Sequence, residues 1–336
     1  MPILPSTFLR PDLGLMVTEQ MLGDNGFIAN KVFPIFETGA ISDTFSRVGV
    51  KVMSQNPDTS YAGGRPNRGD FEVVQDSYTC VPNAWETFVR DIERGRAKGR
   101  VDLDKIAAAI PSRVLMTNLE KEAAAVINNN TNFPVASPTD NGHTVSNNWS
   151  NASTGTPLAD VQLGQTAIRK KTGGLLPDTL ILPYSALVSI SNNDSIINRI
   201  KNVSLTVENG LLKSPELCSL FNVQRILVPG AMRDTANQGL AASISDVWSS
   251  DFASLVISAP TTTMDPESLE RTSAPTLGIA QIGRTMTYAE ESWGGGVLGI
   301  EQIRDEINKE DLWRAFGNWQ VKLFSQAFGY RIKITT

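Results

Sequence analysis

The first forty residues carry scattered apolar anchors, Leu4, Phe8, Leu9, Leu13, Phe27, Ile28, Val32, Phe33 and Phe36 among them, interrupted by prolines and glycines. Such a segment reads as an arm laid across other surfaces. From Phe45 the pattern turns to strict alternation, with Val48, Val50 and Val52 against Arg47, Gly49 and Lys51, which predicts a strand. SQNPDTSYAGGRPNRGD supplies a polar tip, and Phe71, Val73, Tyr78 and Cys80 mark a return strand. A lone hairpin of this kind removes too little apolar surface to offset the entropy of ordering its backbone. Either the rest of the chain or another subunit must cover it.

From Asp104 to about Asn129, Ile106, Ile110, Val114, Leu115, Leu119, Val126 and Ile127 recur at three- and four-residue spacing, the period of a long amphipathic helix. Pro111 inside it should kink or restart it. The asparagine-rich stretch 128–151 reads as a surface loop or short hairpin around Trp149. Thr156-Pro157 opens a helix in cap-then-proline order, running to Gly173. Thereafter the elements alternate, with a strand at 179–182, a helix at 184–201, a short helix from Ser214-Pro215, a strand at 223–228 and two strands in SISDVWSSDFASLVIS. A Ser/Thr/Pro-rich loop, APTTTMDPESLERTSAP, leads to strand-like stretches near 278–288, 298–307, 312–324 and 330–334.

With 336 residues, 41% hydrophobic and 19% charged, the chain is a globular one that can build its own core without disulfide or metal. Thirty basic against thirty-five acidic residues leave a net charge of −5, which argues against a surface devoted to neutralising nucleic-acid phosphates. Cys80 and Cys218 are far apart and fit a reducing compartment as small apolar side chains. The start, MPILPSTFLRPDLGL, has neither a secretory pattern nor an apolar run. No window approaches the roughly 18–20 apolar residues that a membrane span needs.

The search for chemistry yields little. His143, the one histidine, sits in TDNGHTVSNNWS and reads as an exposed loop residue, with no Gly-x-Ser-x-Gly elbow to make it a base. No Cys-x-x-Cys, His-Glu-x-x-His, calcium loop or phosphate-binding glycine pattern is present, so catalytic residues, cofactors and metals are all expected to be absent. A hydrolase or transferase built on residues 161–285 would need clustered titratable groups, and none is recognisable. Arg94, Arg96, Lys98 and Arg100 form a basic run interleaved with Asp91, Glu93, Asp102 and Asp104. That mixture favours salt-bridged contacts over a nucleic-acid patch.

Five stretches in order, YTCVPNAWETFVRDIERGRA, NLEKEAAAVINN, TGGLLPDTLILPYSALVSISNNDSIINRIK, FNVQRILVPGAMRD with DVWSSDFASLVIS, and FGYRIKI, resemble the major capsid proteins of tailed bacteriophages, which have the Hong Kong 97-type fold. The resemblance covers most of the chain from residue 41 onward. It implies an α+β fold with an N-terminal arm at 1–40 and an extended β-hairpin loop at 41–84. A peripheral domain would comprise 85–160 and 286–336, with a spine helix at about 104–129, and an axial α/β domain would comprise 161–285. It further implies self-assembly into pentamers and hexamers of an icosahedral shell around double-stranded DNA, without sequence-specific binding and without catalysis. The place would be the virion capsid, assembled in host cytoplasm, and the partners a scaffolding protein, a portal protein and a cement or decoration protein.

The arm begins near Met1 with no long charged helical prefix, from which a separate scaffolding protein is expected. Lys51 is the only lysine between 41 and 84 and lies in a strand, so covalent cross-linking through the loop is not expected. Arg65, Arg68 and Asp70 at the hairpin tip, with Arg94, Arg96, Lys98 and Arg100 at its base, are candidates for inter-subunit charge contacts. An ordinary solvated surface is the alternative for all seven. A tail or sheath component is the rival reading of the whole chain.

Overall fold

A computed structural model describes residues 7–9, 26–49, 72–97, 103–137, 140–201, 207–208, 211–212, 214–237, 239–258, 262–264, 271–273, 280–288 and 298–335. The chain opens with β1 (Thr7–Leu9), a single helical turn α1 (Ala29–Val32) and β2 (Ile35–Thr38). The hairpin β3 (Ser42–Val48) and β4 (Val73–Thr79) comes next, then β5 (Val81–Arg90), α2 (Asp91–Ala97) and the long α3 (Leu103–Asn128). β6 (Ala136–Ser137), β7 (Gly142–Thr144), α4 (Pro157–Thr172), β8 (Thr179–Ile181), α5 (Tyr184–Ser191) and α6 (Asp194–Lys201) follow. After the short pair β9 (Val207–Glu208) and β10 (Leu211–Leu212) come α7 (Ser214–Phe221), β11 (Arg225–Leu227), β12 (Met232–Asp234), β13 (Ile244–Asp246) and β14 (Phe252–Val256). A ribbon of β15 (Thr262–Met264) and β16 (Arg271–Ser273) precedes β17 (Gly283–Tyr288), β18 (Gly299–Asp305), β19 (Glu310–Leu323) and β20 (Gly329–Lys333).

β19 is the axis of the first sheet. β18 and β17 pair with it antiparallel along one side and β5 along the other, so that Trp319 lies between Thr287 and Val81. β1 adds to β18 antiparallel, and β2 adds to β17 in parallel. Alternation along β19 sends Asp311, Trp313, Ala315, Trp319 and Val321 to one buried face, as a half-covered strand requires. α3 covers that face, and the Trp319 indole Nε1 donates to Glu122 Oε2 at 3.0 Å. Ala107, Ala108, Ala123 and Ala124 line the buried side of the helix, and small side chains let helix and sheet approach closely.

Pro111 neither ends nor restarts α3, which runs unbroken for 26 residues. Proline removes one backbone donor. The buried residues on either side, Ala107 and Ala108 before it and Leu115 and Met116 after it, hold the helix on course. Just beyond the proline, the Ser112 hydroxyl donates to the Ala108 carbonyl at 2.9 Å.

The second sheet has the order β11-β8-β14-β20-β7-β6. β11 with β8 and β20 with β7 are parallel pairs, and the others are antiparallel. β8 is buried throughout, consistent with a short apolar run enclosed on both faces. α4 lies against this sheet at Gly164, where an added Cβ would meet side-chain atoms of Leu255 and Tyr330 at 2.8 Å. The helix starts with Pro157 in its first turn and ends at Gly173, whose φ of 71° is left-handed, matching the proline-start and glycine-stop asymmetry.

Two expectations are corrected. Residues 26–33 pack at home, since Ile28, Val32 and Phe33 are each no more than 1% exposed within this chain's own core. Ile28 and Val32, four apart, share one side of the α1 turn, Phe33 follows as its C-cap, and β2 then extends this chain's first sheet. The predicted helix 184–201 is two helices. Asn193 is fully buried between them, its Nδ2 donating to the Gly155 carbonyl at 3.0 Å and its Oδ1 accepting from the Ser195 backbone N–H at 3.1 Å. A side chain that caps the second helix stops the first.

The root of the β3–β4 hairpin packs on this chain as well. Phe45 lies 5.3 Å from Phe324 between ring centroids, beside a small cluster of Tyr78, Cys80 and Met286. Lys322 Nζ meets Asp76 at 2.8 Å. The predicted polar tip, with Lys51, lies outside the described residues, as does the triple glycine at 294–296.

Candidate inter-subunit interface

α2 follows β5 without a loop, because the Asp91 N–H still donates to the Lys309 carbonyl, as the next rung of the β5–β19 ladder. This places Arg94 over the end of β18 and β19. Its Nη2 donates to Asp104 at 2.7 Å and to Asp311 at 2.5 Å. Arg304 completes the cluster, reaching Asp91 at 2.6 Å and Asp311 at 3.0 Å, and the Gln302 amide also donates to Asp311 at 3.1 Å. Burial opposes ionisation of Asp311, but Arg304 and Arg94 outweigh it and hold the carboxyl below its usual range. The cluster ties α2, α3 and the sheet together within one subunit.

Of the seven residues marked as inter-subunit candidates, Arg94 therefore spends its guanidinium at home. Arg96 is exposed on α2. Arg65, Arg68, Asp70, Lys98 and Arg100 lie outside the described residues. Among the described residues the structure brings no two of the seven together.

Sequence reading missed a different surface. Val81 and Trp85, on the α3 side of β5, are each about half exposed, and Ile106, Ile110 and Val114 form an exposed stripe on α3, whereas Phe88, also half exposed, faces the other side of the sheet. The two elements run antiparallel, held at one end by Arg94 with Asp104 and at the other by the Asn118 amide donating to Asn83 Oδ1 at 3.3 Å. Val114 lies one helical turn before Asn118, and Trp85 two strand residues beyond Asn83. Exposed apolar side chains grouped in this way mark a contact surface rather than scatter. Further bare apolar residues sit at extremities: Met232, Leu240 and Ile244 at the β12–β13 hairpin, and Ile307 in the β18–β19 turn.

His143 is not an exposed loop residue. It is buried on β7, with Nδ1 3.0 Å from the Tyr330 hydroxyl and Nε2 3.4 Å from Asp160 Oδ1. Asp160 also accepts from the Trp149 indole at 2.8 Å, and burial, with Asp160 and Asp140 adding, pushes the Tyr330 phenol up. The imidazole thus joins α4 to the second sheet. The surrounding asparagine-rich stretch is likewise tied down, since Arg331 Nη2 donates to Asn130 Oδ1 at 2.8 Å and Trp149 is only 1% exposed.

Among the described residues no group of three or more histidine, cysteine or acidic side chains could hold a metal ion, and no helix is long and apolar enough to cross a membrane. No protein-family model matches the sequence, and no curated protein matches it. Solved structures do. A phage-related protein from Bordetella bronchiseptica RB50 is similar over 98% of both chains, with a TM-score of 0.67 at 19% identity. The capsid of the cyanophage P-SCSP1u is similar over 90% of this chain and 86% of that one, with a TM-score of 0.55 at 11% identity. The chain has the Hong Kong 97-type capsid fold. A virus-like particle from Pyrococcus furiosus is also similar, over 96% of this chain and 98% of that one, with a TM-score of 0.55 at 10% identity. Within the Hong Kong 97-type fold, the β3–β4 hairpin and the long α3 follow one another here in the order that the sequence resemblance implied.

Proposed function

We propose that this chain is the major capsid protein of a tailed double-stranded DNA phage, assembling into pentamers and hexamers of an icosahedral head. The observation that carries this reading is the likeness over nearly the whole of both chains to a phage-related protein, alongside capsid subunits of the same fold. The first sheet with α3 would form the peripheral domain and the second sheet with its helices the axial domain. β6, β7 and β20 lie in the second sheet, so the expected division into 85–160 with 286–336 and 161–285 shifts by those strands, and the 41–84 hairpin would reach a neighbouring subunit. A projecting hairpin and bare apolar groups on β5, α3 and the β12–β13 hairpin supply the many modest contacts that a symmetric shell multiplies. The modest net charge of −5 suits a lining along which packaged DNA slides. A scaffolding protein and a portal are the partners this role implies, with a cement or decoration protein an optional third, and the virion capsid, assembled in host cytoplasm, is its place.

Negative-stain microscopy of the purified protein, alone and co-expressed with a scaffolding protein, tests the reading. Closed shells are expected. Open tubes would make the chain a tail or sheath component, and dispersed particles of monomer size under both conditions would overturn self-assembly.

A further inference from the structure

β5 is an open edge: among the described residues it pairs with β19 on one side and with no strand on the other. The Asp91 N–H donating to the Lys309 carbonyl fixes the phase of that ladder. In an antiparallel pair, residues alternate between those that exchange hydrogen bonds with the partner and those whose N–H and C=O point away. Odd-numbered residues of β5 therefore bond to β19, and the backbone groups of Glu86, Phe88 and Arg90 point outward, where no strand among the described residues meets them. Exposed edges of this kind are templates for another strand.

The side chains beside those groups are ordered in rows across the sheet. Glu301, Arg314 and Glu86 are successive cross-strand partners, with Arg314 bound to both acids, so one row ends at the edge on a negative charge. Ile303, Leu312 and Phe88 make the next row, and Phe88 leaves an apolar end half exposed. Glu310 and Arg90, 3.6 Å apart, make the third, which ends on a positive charge. All three rows share one face of the sheet. Read along the edge, the sequence is minus, apolar, plus.

That order is self-complementary under a two-fold rotation. We propose that β5 pairs antiparallel with β5 of a second copy about a two-fold axis, with Phe88 opposite Phe88 and Glu86 opposite Arg90. The outward amides and carbonyls of Glu86, Phe88 and Arg90 then bond to those of the second copy's Arg90, Phe88 and Glu86. The apolar rows join end to end, flanked on each side by a row in which acid meets base. Other registers fail on charge or on backbone. Centring on Glu86 or Arg90 opposes like charges, centring on Thr87 or Val89 sets the Glu86 carboxylate against Phe88 or Ile92, and centring on Ala84 brings in Pro82, which has no N–H to give. An isologous contact of this kind is what a closed symmetric assembly needs at its two-fold positions. The occupant, a second copy, rests on the shell reading above.

The test is Phe88→Cys in the assembled protein. Hydrogen-bonded antiparallel partners have Cα atoms about 5.5 Å apart, inside the roughly 4.4–6.8 Å that a disulfide spans. Mild oxidation should convert most of the chain to a disulfide-linked dimer on a non-reducing gel. The parent chain and Ala84→Cys, whose partner would be Ile92, should stay monomeric. Shells that form without the Phe88→Cys dimer would overturn this contact and leave the shell reading standing. A Phe88→Cys dimer in protein that builds no shell would keep the contact and remove the shell. Should the variant not assemble, hydrogen exchange on the unaltered assembled protein decides. Slow exchange in a peptide spanning 84–92, fast in the dissociated subunit, is expected, and equally fast exchange in both would overturn the pairing.

Discussion

Glu120 on α3 holds Trp248 and the start of α1 at once. Its Oε2 accepts from the Trp248 indole Nε1 at 2.6 Å, and its Oε1 accepts from the Ala29 backbone N–H at 2.5 Å. The residue is 1% exposed, so neither donor has water to turn to. Glu120→Ala strands two buried N–H groups, each costing about 1–3 kcal/mol, and a loss of about 2–5 kcal/mol in the unfolding free energy is expected. Trp248→Phe leaves the carboxylate short of one donor and should cost about 1.5–3 kcal/mol. Urea unfolding of the unassembled subunits measures both, and values under half a kcal/mol would show that the joint contributes nothing.

The same carboxylate sets a pH dependence of definite sign. Burial pushes the Glu120 pKa above its ordinary 4.5, against the pull of the Ala29, Trp248 and Ile28 hydrogen bonds and of Lys31. The folded state therefore keeps its proton to higher pH than the unfolded chain does. Its contribution is fully present below 4.5 and is lost as pH rises through the folded-state pKa. Glu120→Gln has no such titration. The stability of the natural protein minus that of Glu120→Gln should thus be largest at low pH and shrink on going upward. A difference that widened with pH would reverse the sign of the shift.

Asn193 tests why one helix became two. Its side chain bonds both to Gly155, in the loop before α4, and to the first turn of α6. Removing an N-cap costs about 1 kcal/mol, and leaving the buried Gly155 carbonyl without its donor adds to that. Asn193→Ala should therefore lose about 1–3 kcal/mol in thermal or urea unfolding. If the sequence period alone governed this stretch, alanine, the better helix former, would be neutral or stabilising.

What the sequence could and could not show follows from where each residue's partner lies. α3 was legible as a helix because its apolar spacing is a local signal, though not which side it buries, since Ile106, Ile110 and Val114 are exposed and the alanines face the sheet. α4, bounded by Pro157 and Gly173, was legible too. The split at Asn193 was not, since the partner that stops the helix is Gly155, 38 residues away. His143 read as exposed because TDNGHTVSNNWS is full of turn formers, yet its position is set by Tyr330 and Asp160. Ile28, Val32 and Phe33 looked like arm anchors because nothing local says whose core receives them. β5 drew attention as part of the family resemblance and for the basic run beyond it, not as a sheet edge. VPNAWETFVR is too exposed on both faces for a clean alternation, and an open edge is a property of the sheet rather than of the strand.

Arg94 and Arg96 separate a fold contact from a surface one. Arg94 donates to Asp104 and Asp311, and Asp311 lies almost buried between it and Arg304. Arg94→Ala should lower subunit stability by about 1.5–3 kcal/mol, the usual range for a hydrogen bond to a charged group. Arg96→Ala, on the exposed side of α2, should stay within about 0.5 kcal/mol. Because Asp311 is held below its ordinary 3.8, its contribution is present above that pH and lost as pH falls through the folded-state value. Arg94→Ala removes one of the two guanidinia responsible, so acid should cost the variant less stability than it costs the natural protein. Particle yield adds the discriminating measurement. With Arg94→Ala it should fall in step with subunit stability. If Arg96 meets a neighbouring copy, Arg96→Glu should reduce yield while urea unfolding of the subunit stays unchanged, and an unchanged yield would leave Arg96 a solvated side chain.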